Sequence, residues 1–266
     1  MTHDRFWMTM FESARCHFIL LAISISVAAP ATCSPYVTAR GPEVERDLAH
    51  LRETISSSSP LSATGLPGIY VVKDQSKENA ATLVTADGKV LMNNGTLGMT
   101  YGTTGRHLSL SEEEQVIRPL LPYLGTDEMI QFGDRRKPLR MILLSGIDCP
   151  YCSLLEPLLR AKGIRYAVIP VALRHENETY VRRVYCAADR SNAWAHALAS
   201  ATAPPAPQTD CDFNEEHFWV LDGLLGGSTP RLLFADGELG RHASNEAGVT
   251  EVLKKINALE RAGIAF

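Results

Sequence analysis

Two cysteines three positions apart, Cys149 and Cys152, have the clearest potential for chemistry in this sequence. On the first turn of a helix, that spacing places both sulfurs on one side, where they can close a small ring. Unpaired backbone N–H groups and the positive end of the helix dipole stabilise a thiolate at such a position. Because the thiolate is the form that attacks disulfides and binds metals, the pair predicts thiol–disulfide exchange or half of a metal site.

The remaining cysteines and the histidines favour exchange over zinc binding. A structural zinc site needs a second Cys or His pair at short spacing. No other two cysteines form a C-x-x-C, and none of the eight histidines forms an H-x3–5-H pair. We therefore expect no metal, and we keep half a zinc site as the alternative interpretation of the pair.

The segments around the cysteines indicate how they are positioned. Residues 141–146 read as a short apolar strand, followed by a turn and a helix that begins at Cys149. Pro150 suits the first helical turn, where its missing N–H would have had no partner. Residues 164–171 form a second β-rich apolar run. A strand–helix–strand unit predicts parallel pairing through a right-handed crossover.

A second segment, residues 226–239, contains a glycine-rich approach, Thr229-Pro230, an apolar strand, a turn and a short return strand. An X-Pro bond is the place where a cis peptide costs least, and Pro is permitted at the head of a strand. A plain loop proline is the alternative. Together with the upstream C-x-x-C helix, the segment resembles the cis-proline loop of the thioredoxin superfamily.

Further residues make the resemblance more specific. Cys186-Ala-Ala-Asp189, then Trp194, then Cys211, ahead of the Thr229-Pro230 segment, are similar to the catalytic domain of the periplasmic disulfide isomerases of the DsbC/DsbG family. The likeness covers about residues 139–256. It implies an α/β protein, α+β overall, with a C-terminal thioredoxin-like fold that carries a helical insertion and a small N-terminal α+β dimerisation domain.

The resemblance also implies roles for single residues. Cys149 and Cys152 would be catalytic, and Cys186 would form a structural disulfide with Cys211, for which two buried free thiols are the alternative. No cofactor is implied. The implied partners are exported proteins with disulfides, a membrane thiol reductase as electron donor, and a second copy of the chain. The substrate would contact a further set of residues: Pro150, Tyr151, Thr229 and Pro230.

The first 31 residues resemble an export signal. An apolar run at residues 18–29 follows Arg5 and Arg15, and residues 29–31 match the A-x-A cleavage pattern. We therefore expect a mature chain in the periplasm, where disulfides persist. Lipidation at Cys33 and an uncleaved membrane anchor are the alternatives. Cys33 is the odd cysteine in the mature chain, either free or paired between chains.

The length after removal of the signal, about 235 residues, suits two modest domains. Residues 41–55 read as a helix with apolar positions at helical spacing, and residues 68–100 as short antiparallel strands. Because such a region buries little apolar surface alone, we expect it to dimerise, as the family does. The alternative is an accessory domain that packs on its own catalytic domain.

These features divide the chain into a signal (1–31), an N-terminal dimerisation-like domain (32–107), a linker helix region (108–137) and a catalytic domain (138–266). In the linker region, Ser109 and Glu112 form a predicted capping box, and Pro119, Pro122 and Gly125 interrupt the helix. The net charge of −4 gives no reason to expect nucleic acid.

The sequence thus predicts an exported thiol:disulfide interchange protein, a disulfide isomerase or reductase that acts on misoxidised proteins through Cys149 and Cys152. Two other functions stay open. One is a non-enzymatic periplasmic chaperone or assembly factor that holds unfolded chains in a dimer cleft. The other is a dedicated disulfide oxidase, because Pro150-Tyr151 looks more like the glutaredoxins than the isomerases and leaves the direction of transfer undecided.

Overall fold

The computed structural model describes residues 41–55, 59–73, 81–93, 99–102, 104–200, 202, 211, 213–226, 228–241 and 244–266. The predicted signal, its cleavage site and Cys33 lie outside the described residues. Among the residues that are described, no helix has the length and apolar character needed to cross a membrane.

The N-terminal part is a helix on an antiparallel sheet of five strands in sequence order. Alternate residues of its strands face opposite sides. Tyr70 and Val84 face α1, where they pack with Leu48 and Leu51, and their neighbours face away from it. The elements are α1 (Pro42–Thr54), β1 (Leu61–Ala63), β2 (Ile69–Lys73), β3 (Ala81–Thr85), β4 (Val90–Asn93) and β5 (Met99–Tyr101).

The predicted capping box begins helix α2 (Leu110–Ile117). The Ser109 hydroxyl accepts from the Glu112 backbone N–H, and the Glu112 carboxylate accepts from the Ser109 N–H. A 3₁₀ helix, Arg118–Tyr123, follows directly and contains Pro122. Strand β6 (Ile130–Phe132) comes next. The region predicted as a linker helix is therefore one short α-helix, two 3₁₀ helices (the second is Thr126–Glu128) and a strand. The two prolines, Pro119 and Pro122, end the α-helical hydrogen bonding.

The C-terminal sheet has the order β10-β9-β7-β8-β6. Strand β7 (Met141–Gly146) lies in the centre and is buried along its whole length. It pairs in parallel with β8 (Tyr166–Val171) across helix α3 (Pro150–Ala161), as the strand–helix–strand pattern predicts. On its other side it pairs antiparallel with β9 (Arg231–Phe234), which turns into β10 (Leu239–Arg241).

Four further helices complete this half. Helices α4 (Glu178–Tyr185) and α5 (Arg190–Ser200) form the predicted insertion after β8, α6 (Glu215–Leu225) leads to β9, and α7 (Glu246–Arg261) ends the chain. A central parallel β–α–β unit followed by an antiparallel hairpin and a closing helix is the thioredoxin-like arrangement. The protein is therefore a mixed α/β protein with two sheets, as the sequence predicts.

The face of the N-terminal sheet that points away from α1 packs within the same chain. Leu83 of β3 is fully buried and meets helix α6 at Gly223, which has no side chain to hold it off. Apolar residues of β2, β3, β4, α2, the 3₁₀ helix and α6 share one core: Val71, Leu83, Met92, Ile117, Leu120, Leu124, Phe218, Leu221 and Leu225.

This packing differs from the predicted arrangement of two halves spaced by a linker. Ile117, Leu120 and Leu124, within the predicted linker, are buried in the shared core, and β6 pairs with β8 of the C-terminal sheet. The N-terminal sheet thus packs on the C-terminal part of its own chain, as in the alternative prediction. Helix α6 covers the apolar face of the N-terminal sheet, for which the sequence predicted a second copy of the chain. The homodimer itself stays a prediction.

Candidate active site

The two cysteines lie where strand β7 passes into helix α3. Cys149 is the N-cap residue, and its sulfur accepts from the Cys152 backbone N–H at 3.4 Å. Pro150 occupies the first helical position, as predicted. Cys149 is 3% exposed and Cys152 is fully buried, and the structure describes both as free cysteines. Their placement gives one sulfur at the helix end and one beneath it.

The two thiols differ in acidity. The pKa of Cys149 is lowered to about 6, mainly by the hydrogen bond with the Cys152 side chain. Hydrogen bonds from Thr229 and from the backbone N–H groups of Cys152 and Tyr151 lower it further, whereas burial raises it. The pKa of Cys152 is raised far above its ordinary value, first by the hydrogen bond with Cys149 and then by burial. Near neutral pH Cys149 is therefore a thiolate and Cys152 a thiol.

The loop before β9 faces the cysteines. The Thr229–Pro230 peptide bond is cis, as the resemblance predicts. The Cys149 thiol lies 3.4 Å from the Thr229 carbonyl oxygen, to which it can donate. Pro230 has no N–H and adds no competing donor beside the sulfurs. The structure thus brings Thr229 and Pro230, two of the residues predicted to contact a substrate, next to the cysteines.

Three large apolar side chains in the segments next to the cysteines are exposed. Tyr151 and Leu154 of α3 are 60% and 57% exposed, and Leu173, in the loop after β8, is 57% exposed. The Asp148 carboxylate holds that loop near the site, because it accepts from the Leu173 and Arg174 backbone N–H groups at 2.8 and 2.9 Å. Leu154 and Leu173 were not predicted, since only the fold shows that these leucines are exposed and that Leu173 lies near Cys149.

A buried carboxylate beneath the cysteines was also missed from the sequence. Glu156 is fully buried one helical turn after Cys152. It accepts hydrogen bonds from Ser145 (2.7 Å), from the Trp194 indole (2.9 and 3.1 Å) and from the Tyr166 hydroxyl (3.2 Å). Burial raises its pKa, and these donors act in the opposite direction. The sequence did place Glu156 four residues after Cys152, which indicates the same face of the helix.

The Ser145 hydroxyl connects the carboxylate with the inner thiol. It donates to Glu156 and also hydrogen-bonds with the Cys152 side chain. The Gly146 backbone N–H donates to the Cys152 sulfur at 3.4 Å. Ser145 therefore lies between the buried Cys152 thiol and the buried Glu156 carboxylate.

The second pair of cysteines is joined in the helical insertion. A disulfide links Cys186, at the end of α4, with Cys211, and their Cα atoms are 5.4 Å apart. The rings of Tyr185, Phe213 and Phe218 pack together next to it. This is the pair that the resemblance implies, and it is separate in sequence from Cys149 and Cys152. Among the described residues, no group of three or more His, Cys, Asp or Glu side chains is arranged to hold a metal ion.

Solved structures, but no family models or curated sequences, show similarity to this chain. No protein-family model matches the sequence, and no curated protein matches it significantly. The chain is similar to the crystal structure of a disulfide interchange protein from Neisseria gonorrhoeae, with 22% identity and a TM-score of 0.42. The match covers 49% of this chain and 96% of the other.

Proposed function

We propose that this protein is an exported thiol–disulfide oxidoreductase that acts as a disulfide isomerase or reductase on misoxidised proteins. The observation that carries the proposal is the environment of Cys149. Its sulfur caps α3, has a pKa lowered to about 6, and lies 3.4 Å from the carbonyl of Thr229. A thiolate beside a backbone segment that can pair with an extended chain is suited to attack a disulfide in a polypeptide.

In the proposed reaction, the Cys149 thiolate attacks one sulfur of a substrate disulfide. A bond forms between Cys149 and that sulfur, and the other substrate sulfur leaves as a thiolate. If a substrate thiolate then attacks the mixed disulfide, Cys149 is released and the substrate is isomerised. If Cys152 attacks instead, the substrate leaves with two more electrons and Cys149 is left in a disulfide with Cys152.

Attack by Cys152 requires the loss of its proton, because its pKa is raised. The path from Cys152 through the Ser145 hydroxyl to the Glu156 carboxylate supports the assignment of Glu156 as the acceptor. The proton that reaches Glu156 is returned when the disulfide is reduced again. Glu156 would thus serve the resolving step, while the first attack by Cys149 needs no base.

The substrate would lie across Tyr151, Leu173 and the loop before β9. An extended segment beside the substrate disulfide would pair with the backbone at Thr229, and Pro150, Tyr151 and Pro230 would contact it. The exposed side chains of Tyr151 and Leu173 favour a substrate with apolar residues next to its cysteines. Misfolded proteins expose such residues, which is why we favour them as substrates over folded ones.

The acidity of Cys149 affects the reduction potential of the pair, and the direction of transfer then depends on the electron donor. A lowered pKa stabilises the reduced form of the pair and makes its disulfide the more oxidising. An isomerase of this kind needs an electron donor that keeps Cys149 reduced, for which we propose a membrane thiol reductase facing the periplasm. Without such a donor, the same site would act as an oxidase.

Two assays test the proposal. The protein should accelerate the renaturation of scrambled ribonuclease, and the Cys149→Ser variant should not. Thiol trapping in cells that export the protein should find Cys149 and Cys152 mostly reduced. A mostly oxidised pair would indicate the oxidase. Prevention of aggregation that persists in Cys149→Ser, with no activity on disulfides in the wild type, would indicate the non-enzymatic chaperone.

The proposed homodimer is tested by light scattering on the protein after signal removal. Twice the monomer mass is expected if the two catalytic units face one cleft, as the resemblance implies. A monomer would leave one site per particle and would favour a simple reductase or oxidase.

A further inference from the structure

Two buried residues of opposite charge connect helix α2 with the active-site loop. Arg231 is the first residue of β9 and directly follows Pro230. Its guanidinium donates to the carboxylate of Glu113, on α2. Both side chains are 4% exposed. An ion pair at this depth depends on its hydrogen bonds, because each charge has lost its water.

Arg231 also connects the two ends of the loop. Its second terminal nitrogen donates to the carbonyl oxygens of Leu225 (3.1 Å) and Gly226. Leu225 ends α6, and Thr229, directly before Pro230, lies against Cys149. One guanidinium, at the start of β9, therefore fixes the carbonyl groups at the end of α6. Its donors lie in the fixed fork geometry of arginine.

Glu113 extends the connection to the N-terminal sheet. Its other carboxylate oxygen accepts from the Met99 backbone N–H of β5 at 3.2 Å. The next residue, Glu114, accepts from the Leu239 backbone N–H of β10 at 2.9 Å. Helix α2 is thus hydrogen-bonded to the N-terminal sheet and to the β9–β10 hairpin, within a chain whose described residues form one compact unit.

We propose that Glu113 and Arg231 are positioning residues of the active site, whose buried ion pair holds the Thr229–Pro230 segment against Cys149. The inference rests on the proposed function, for which that segment presents the substrate to the thiolate. It gives α2 and the N-terminal sheet a role in supporting the site, because Glu113 is fixed by Met99 on one side and by Arg231 on the other.

The test uses the full chain with Glu113→Met and Arg231→Met together. Replacing both partners leaves no lone buried charge and changes no net charge, so the variant is expected to fold and any effect on Cys149 reports position. The readout is the rate of Cys149 alkylation against pH in the reduced protein. We expect the midpoint to rise by about one pH unit from about 6, because the hydrogen bond from the Thr229 side chain, which favours the thiolate, weakens when the segment moves away. At about pH 6 the alkylation rate should fall about fivefold, since less of Cys149 is thiolate.

Lys255→Met is the matched control. Lys255 of α7 pairs with Asp236 and Glu238 in the turn at the other end of β9. The control removes an ion pair at the far end of β9 without touching the Thr229–Pro230 segment, and its midpoint should equal that of the wild type. A midpoint raised equally in both variants would overturn the inference, because loosening β9 anywhere would then suffice.

If the double variant does not fold, Glu113→Gln is measured in the same way. Loss of a negative charge would by itself lower the pKa of Cys149, so a raised midpoint supports positioning and an unchanged or lowered one overturns it. A folded double variant with the wild-type midpoint also overturns the inference and leaves the proposed function intact. Failure of the wild type to exchange disulfides overturns the proposed function, whatever the midpoints are.

Discussion

Cys149 and Cys152 differ because they occupy different places on one helical turn. The N-cap position gives Cys149 unpaired N–H groups, and the position three residues later places Cys152 beneath the helix end. This much is readable from the spacing and from Pro150. Glu156 and Ser145 were not predicted, because a carboxylate in a helix and a serine in a strand become the proposed proton path only when the fold brings α3 and β7 together.

The first prediction concerns the acidity of the two thiols. In the reduced protein, alkylation of Cys149 should rise with pH through a midpoint near 6 and then level off, while Cys152 stays unreactive to well above neutral pH. The thiolate is the reactive form, so protonation below the midpoint stops the reaction. Mass spectrometry of the labelled peptides measures both rates. Faster labelling of Cys152 between about pH 6 and pH 7 would reverse the assigned roles.

The second prediction concerns Glu156. Glu156→Gln keeps the size of the side chain and removes the proton acceptor, so attack by Cys152 on a mixed disulfide should slow by about tenfold or more. Alkylation of Cys149 should keep its midpoint near 6. Rapid-quench measurement of mixed-disulfide decay gives the rate, and Glu251→Gln, at an exposed position of α7, is the control. Unchanged decay would exclude Glu156 from the resolving step.

At the scale of the elements, the central unit of β7, α3 and β8 and the strands β2, β3 and β4 could be predicted from the sequence. In these segments the spacing of apolar residues, the turn residues and the helix caps all indicate the same secondary structure. Strands β1 and β6 could not, because three-residue strands carry too short a pattern and depend on their neighbours. The disulfide of the insertion was implied by resemblance, since spacing alone does not determine which cysteines pair.

The third prediction concerns that disulfide. Cys186 and Cys211 lie 25 residues apart in sequence, and closing such a loop contributes roughly 3–4 kcal/mol to the free energy of unfolding. Double replacement by Ala should therefore lower the melting temperature clearly, as measured by circular dichroism. Exchange activity at low temperature should stay, because these sulfurs are apart from Cys149. Lost activity in a folded double variant would mean that the pair carries electrons during turnover.

At the scale of the whole molecule, the sequence predicted two halves separated by a linker, and the structure packs them on a shared core. The apolar residues of the N-terminal strands were identified, and the side chains that cover them were not. Helix α6 is apolar on several sides, and its sequence does not say which side faces the C-terminal sheet and which faces the N-terminal sheet. Packing between distant parts of a chain leaves no local pattern.

The fourth prediction tests this packing at Gly223. In an exposed helix, Gly→Ala stabilises by roughly 1 kcal/mol. Here a β-carbon at residue 223 would lie 2.7 Å from the Leu83 side chain, so Gly223→Ala should instead destabilise by about 1–2 kcal/mol in urea unfolding. Combined with Leu83→Ala, the same change should lose most of its cost. A stabilising Gly223→Ala would mean that the N-terminal sheet does not lie on α6.

The central claim is that Cys149 attacks disulfides and Cys152 resolves the product. It is tested most directly by incubating Cys152→Ser with scrambled ribonuclease, quenching with acid and mapping the adducts by mass spectrometry. The account predicts that a mixed disulfide accumulates on Cys149, disappears on reduction and is absent in Cys149→Ser. No adduct in Cys152→Ser, or an equal amount in Cys149→Ser, would contradict it.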